Sequence, residues 1–231
     1  DALFDVCADG IIFAKLTTMV DMDAVDERAL NMKQNLSLYQ KIENCNLAIN
    51  AAMSIGCKVT NIGAMDLIDG THHLVLGLTW QIIKSCLLHL ITLKNHPELY
   101  LLLEPDETLD ALQTLPPEKI IMRWVNFHLK RGKSNATLTN FGRDLADSEI
   151  YSVLLHQLNP DACNLVTASD VTERAQQVIT NSKRMGVESL LKPCDIVSGN
   201  SKLNLGFLAE LFNHNPGLVA LADEGNIEEI G

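Results

Sequence analysis

The chain has 231 residues, 47% of them hydrophobic and 20% charged, with few aromatics and a formal net charge of −11. That length holds one large domain or two of about 100–115 residues, with ample material for a core. The acidic balance excludes a global electrostatic drive toward nucleic acid or acidic membranes, although a local basic edge remains able to dock on an acidic partner.

The composition, rich in Leu, Ala, Ile and Asn, points to an all-α fold. Around the turn Ala8-Asp9-Gly10 the chain is apolar, and a short buried helix is expected over 11–16. Residues 17–36 read as a polar loop with one helical turn. The spacing of Ile42, Cys45, Ile49, Ala52 and Met53 predicts an amphipathic helix over 41–56, stopped by Gly56 in the left-handed cap that glycine takes most cheaply. A short extended piece over 57–62 and a short helix over 63–69 follow. From Gly70 a long, mostly apolar helix runs to about Leu90. Gln81, Lys84, Ser85 and His89 interrupt it, which favours a buried core helix over a membrane span.

Residues 92–116 contain Pro97, Pro105 and Pro116 and the acids Glu98, Glu104, Asp106, Glu107 and Asp110. They read as an acidic linker with partial helix. The Pro116-Pro117 pair marks a helix entry, with Glu118 suited to its positive end. Ile120, Ile121, Trp124, Phe127 and His128 then define one face of a helix over 117–130, closed by Lys130-Arg131-Gly132-Lys133. A buried helix over 151–158 and an amphipathic one over 173–186 (Ala175, Val178, Ile179, Ser182, Met185) come next. A short helical piece over 190–197, a helix after Gly199 and a small acidic tail from 219 complete the chain.

The stretch after Gly70 occurs twice. Gly70, Leu74, Leu76 and Gly77 recur as Gly199, Leu203, Leu205 and Gly206 at a separation of 129 residues, Glu43 and Gly56 recur as Glu173 and Gly186 at 130, and Asp9 as Asp147 at 138. Ordered landmarks at nearly constant separation imply tandem duplication of an all-α module of about 100 residues. The second copy has a Trp-containing helix before Asp147. The first copy starts only eight residues before Asp9, so its opening helix is expected to lie in a longer natural chain.

Chemistry-bearing patterns are sparse. The six cysteines include no C-x-x-C pair and read as buried free thiols in a reducing compartment. Neighbouring His72 and His73 point apart on a helix and have no partner at ligand spacing. Asp21, Asp23, Asp26 and Glu27 suggest a calcium loop, but Asp26 stands where its glycine is needed and Met32 where its bidentate Glu is needed. Trp80 and Trp124 are expected as core anchors. No phosphate loop, nucleophile elbow or nucleophile–base pair is visible, so an enzyme is not expected.

The run Asp9-Gly10, Lys15-Leu16, Asp26-Glu27-Arg28-Ala29, Glu43-Asn44, Ile55-Gly56-Cys57, Asn61-Ile62-Gly63, Asp66-Leu67, Gly70, Leu74 to Leu78 and Trp80 to Lys84 resembles a calponin-homology domain of the fimbrin/plastin family. Pro117-Glu118-Lys119 with Arg123 to Leu129 resembles the start of that family's second domain, and Lys202 to Phe207 with Leu211-Phe212-Asn213 resembles its end. The resemblance implies two tandem calponin-homology domains, at 1–91 and 117–218, each a bundle of about four main helices plus short ones. They would be joined by the linker 92–116 and followed by a tail at 219–231. It further implies an actin-filament-binding module of a cross-linking or bundling protein, monomeric, cytoplasmic and cytoskeletal. No nucleic-acid or membrane partner and no cofactor is expected, with calcium acting only through EF-hands outside this chain. The alternative is an adaptor for another cytoskeletal or signalling protein. In the family, actin contacts come from the last long helix of the first domain and the first helix of the second, besides the absent opening helix. Here those contacts imply His72, His73, Thr79, Gln81, Lys84 and Ser85 on the former and Arg123, Asn126, Lys130 and Arg131 on the latter.

Overall fold

The duplicated landmarks are backbone positions before they are side chains. Gly56 and Gly186 have φ of 88° and 84°, and Gly70 and Gly199 have 66° and 67°. Each pair closes or opens the same helix in its own copy, in a left-handed conformation where a Cβ is penalised. Asp9 and Asp147 behave alike: each carboxylate accepts a backbone N–H two residues on, from Ile11 and Glu149, at 3.0 Å. Between them and their helices sit Gly10 (φ 73°) and Ser148 (φ 66°). A third correspondence is Asp66 and Asp195, whose carboxylates accept from the N–H of Gly63 and Lys192 at 2.8 and 2.9 Å and so cap the following short helices.

The structure is a computed structural model that describes residues 2–188 and 190–219. The described residues are all-helical, without a strand, and the chain divides into two units, Asp1–His89 and Leu90–Gly231. The first contains α1 (Ala2–Cys7), α2 (Ile11–Thr18), α3 (Leu38–Ser54), α4 (Ala64–Ile68) and α5 (His72–Leu88). The second contains α6 (Leu109–Gln113), α7 (Pro117–Arg131), α8 (Glu149–Leu158), α9 (Val171–Arg184), α10 (Pro193–Val197) and α11 (Ser201–His214). The tail expected over 219–231 lies outside the described residues, apart from Val219.

In the first unit α3 packs on α2 and α4, and α2 on α5. Phe13, Ala14, Cys45, Ala48, Leu67, Val75 and Ile82 fill the space between them. Small residues on the inner face of α3 let α2 approach closely, most of all at Gly10, which lies against the α3 backbone at Asn44 and Cys45. The α3 helix begins earlier than its apolar period suggests, because Ser37 and Gln40 form a reciprocal capping box. Met53, expected on its inner face, is exposed, while Asn44 is buried and braces the preceding loop by exchanging hydrogen bonds with the Asn31 backbone. In that loop the Asp26 carboxylate caps a short 3-10 turn at Arg28 and pairs with the Arg28 side chain. Residues 57–62, expected as extended, form no strand.

In the second unit α7 packs against α8 and α11, and α9 against α8 and α10. Trp124 is completely buried, edge-on to Phe212 at 5.3 Å and to His128 at 5.5 Å. The Pro216 carbonyl accepts from both Trp124 Nε1 (2.6 Å) and His128 Nε2 (2.9 Å), which leaves His128 Nδ1 buried without a partner among the described residues. Desolvation depresses the His128 pKa, helped by the nearby Arg131 charge and opposed by the Pro216 bond. The imidazole is therefore the neutral, Nε2-protonated form. All five residues proposed for the inner face of α9 are buried, and Asp170 caps its start.

The partial helix expected over 92–116 is present, as a 3-10 helix over Pro97–Leu102 and as α6. Ile91 and, on a 3-10 helix over Pro97–Leu102, Leu99 and Leu102 are buried, as is Leu112 of α6, and the whole segment belongs to the second unit. Its apolar residues are too short a run to show a clear helical period, but they have enough apolar surface to bind the segment down. No helix among the described residues is long and apolar enough to cross a membrane.

Candidate functional site

The two helices that carry the candidate residues lie in different units. On α5, His72 and His73 are exposed, and the His72 ring packs on Phe4 with centroids 4.0 Å apart. Four further candidates, Thr79, Gln81, Lys84 and Ser85, are half-buried. Thr79 donates to the Val75 carbonyl at 2.7 Å. Gln81 clamps Lys58 from both sides: its carbonyl accepts the Lys58 N–H at 2.6 Å and its amide donates to the Lys58 carbonyl at 2.8 Å. Ser85 Oγ lies 3.7 Å from Cys57 Sγ, and the Lys84 charge acts on the same thiol, whose pKa burial nonetheless raises.

What α5 presents outward, besides the two histidines, is apolar. Leu76 is 49% and Ile83 39% exposed, and Trp80, expected as a core anchor, is only half-buried. The duplication makes this measurable. The equivalents of Leu76 and Ile83, at the same 129-residue separation, are Leu205 and Phe212, exposed by 7% and 0%, and Phe212 lies beneath Trp124 of α7. In the second unit this face is the one that α7 covers. Neither Leu76 nor Ile83 is identifiable as a surface residue from hydropathy; only comparison of the two copies singles them out.

On α7 the inner face carries Ile120, Ile121, Trp124, Val125, His128 and Leu129. The opposite side carries Lys119, Arg123, Asn126 and Lys130, whose spacing of four, three and four places them in one stripe. Lys119 and Lys130 are exposed. Arg123 is engaged inside the unit: its guanidinium forms a two-point ion pair with Glu107, one branch at 3.0 Å, and approaches Glu104 at 3.8 Å. The Arg123 contact holds the Glu107 carboxyl below its usual range. Asn126 exchanges two hydrogen bonds with the Leu138 backbone, at 2.7 and 3.0 Å, in the manner of Gln81 and Lys58. Arg131 is exposed, with its guanidinium 5.6 Å from the Phe127 ring centre. A groove of about 310 Å³ runs beside the stripe, between Leu101–Pro105 and Ala136–Thr137. Sequence spacing gives the stripe, but not the acidic turn that sits on it.

Among the described residues no group of His, Cys, Asp or Glu is placed to hold a metal ion. Four of the six free cysteines are buried, Cys86 is half-buried and Cys194 exposed, and burial pushes the Cys45 thiol up to about 11. The exposed chemistry at helix faces is a basic stripe with a flanking groove on α7, and two histidines on α5.

The calponin homology (CH) domain family model matches residues 1–87 and 115–217. Fimbrin of Schizosaccharomyces pombe is 48% identical over 227 residues, covering 96% of this chain and 37% of the relative. Plastin-1 of Bos taurus is 42% identical over 232 residues, covering 94% of this chain and 36% of the relative. The chain thus spans little more than a third of the length of these relatives. The solved actin-crosslinking core of Schizosaccharomyces pombe fimbrin superposes with a TM-score of 0.81 at 42% identity, over 93% of this chain and 43% of that one. With two matched regions, one in each unit, and fimbrins and a plastin among its relatives, the chain belongs to the calponin homology domain family.

Proposed function

We propose that this chain is an actin-filament-binding module of a cross-linking protein, and that it contacts filaments through the outward faces of α5 and α7. The observation that carries the reading is its likeness to the actin-crosslinking core of fimbrin at 42% identity. The surface chemistry supports it. Polar and basic groups on helix faces are what His72 and His73 offer on α5 and Lys119, Lys130 and Arg131 on α7. On this reading Thr79, Gln81, Ser85 and Asn126 serve mainly by fixing the helices that present those groups.

The reading makes the chain a binding module and not a catalyst. It takes no cofactor of its own, acts as a monomer in the cytoplasm, and engages neither nucleic acid nor membrane. Calcium acts through EF-hands outside it. One such module occupies one site on a filament, so bundling needs a second site in the same molecule. The test is co-sedimentation with filamentous actin at low salt, with and without calcium chelation. Pelleting that saturates and is unchanged by chelation is expected. Absence of pelleting at tens of micromolar actin overturns the proposal.

A further inference from the structure

The stripe Lys119, Arg123, Asn126, Lys130 is a local basic feature on a chain of net charge −11, with Glu118 as the one acid on α7. Its central cation is covered. The turn Glu104-Pro105-Asp106-Glu107 folds back over α7 and delivers two carboxylates to Arg123. The turn is shaped to do this. Glu107 N–H donates to the Glu104 carbonyl at 3.1 Å, Glu104 N–H donates to the Glu107 carboxylate at 3.1 Å, and Asp106 sits at φ 66°, a left-handed conformation that L side chains rarely adopt. Glu107 is thereby held at both ends, by its own turn and by Arg123. Its side chain is only 15% exposed and that of Arg123 21%, whereas the Glu104 side chain is 68% exposed.

A two-point carboxylate–guanidinium pair is the contact an acidic partner would make with Arg123. We propose that the turn Glu104–Glu107 is an intramolecular cover that occupies Arg123 and competes with carboxylates of a filament surface for the centre of the α7 stripe. The inference rests on the actin reading for the identity of the partner, but not for the existence of the cover. A strained turn clamped onto its own unit's central cation weakens binding in the closed state and leaves Lys119 and Lys130 as the first contacts. When a partner carboxylate replaces Glu107, Arg123 exchanges one pair for another, and the turn loses the side-chain bond that holds Asp106 in its conformation.

The test uses the full chain and four variants: Glu104→Gln with Glu107→Gln, Glu107→Asp, Asp110→Asn and Glu107→Gln with Arg123→Gln. Glu107→Asp keeps the charge but is one methylene short of Arg123. Asp110→Asn removes a charge from an exposed position outside the pair, and so controls for net charge alone. Affinity is measured in two arms, for filamentous actin by co-sedimentation and for poly-L-glutamate, a plain carboxylate probe, by fluorescence anisotropy; circular dichroism confirms folding. Uncovering Arg123 is expected to tighten binding in both arms by about threefold to tenfold for the first two variants, with no gain for Asp110→Asn and loss of the gain when Arg123 is also removed. Equal binding by the wild-type chain and the two uncovered variants in the poly-L-glutamate arm overturns the cover. A gain with poly-L-glutamate but no pelleting of any variant with actin keeps the cover and overturns the actin reading. A gain for Asp110→Asn as large as for the uncovered variants reduces the effect to net charge and also overturns the cover.

Discussion

Replacing Gly10 by Ala separates two reasons for a glycine that are usually confounded. A Cβ at Gly10 would stand 2.7 Å from the Cys45 nitrogen and 2.8 Å from the Asn44 carbonyl carbon, both backbone atoms of α3. The residue also sits at φ 73°. The left-handed conformation costs an alanine about 1–2 kcal/mol, and forcing α2 and α3 apart costs about 1–3 kcal/mol more. The expected loss is therefore about 2–5 kcal/mol, a large share of the stability of a unit this size. Ser148 is the internal control, because it holds the equivalent position at φ 66° with a side chain present. Its buried hydroxyl has no partner among the described residues. Ser148→Gly should be neutral or stabilising by about 1 kcal/mol, as relief of strain and of the unpaired hydroxyl offsets the added chain entropy. Native-state hydrogen exchange reads the outcome locally: amides of α3 should lose protection in Gly10→Ala while those of α8 keep it. If Gly10→Ala cost less than about 1 kcal/mol, the close approach of α2 to α3 would not be what requires glycine there.

Further expectations concern other parts of the fold. The pKa of His128 is lower folded than unfolded, so its contribution to stability is complete above the unfolded value near 6.5 and is lost as pH falls through that value toward the folded one. The urea midpoint of the wild-type chain should fall between pH 7.5 and pH 5.5, and by less in His128→Gln; parallel curves would refute the assignment. Gln81→Ala and Asn126→Ala each remove a two-bond brace and should cost about 1–2 kcal/mol in urea unfolding. A change in actin affinity with no change in midpoint would show that these amides contact the partner instead. Lys130→Ala, at an exposed site, should weaken actin binding and flatten its salt dependence while moving the midpoint by less than about 0.5 kcal/mol.

Much of this was legible in the residues because duplication repeats backbone requirements. Gly56 with Gly186 and Gly70 with Gly199 are left-handed in pairs, and no side chain other than glycine serves such positions cheaply. The requirement at Gly10 is hidden for the opposite reason, since Ser148 meets the same dihedral where the neighbouring backbone leaves room. Helix starts at Ser37 and Asp170 do not show in apolar periodicity, which begins a few residues inside a capped helix. The inward turn of Gln81 and Asn126 was not legible at all. An amide on a helix flank looks the same in sequence whether it meets water, a partner or the backbone of a loop many residues away. The same holds for Arg123, whose partner comes from a turn sixteen residues earlier.

The doubly bonded carbonyl of Pro216 has a mechanical consequence. Proline offers no N–H, so this residue holds its place through the one oxygen that Trp124 and His128 share, while Gly217 lies against Leu158 and the His128 ring. Tension entering at Val219 meets α7 first, at the Val219 carbonyl that Arg131 Nη1 approaches at 3.5 Å and then at the Pro216 pin, before it reaches the far turns of α11. The helix with the basic stripe is thus also the one that would bear a pull passed on through Val219, and its attachment runs through one guanidinium, one indole, one imidazole and two carbonyls.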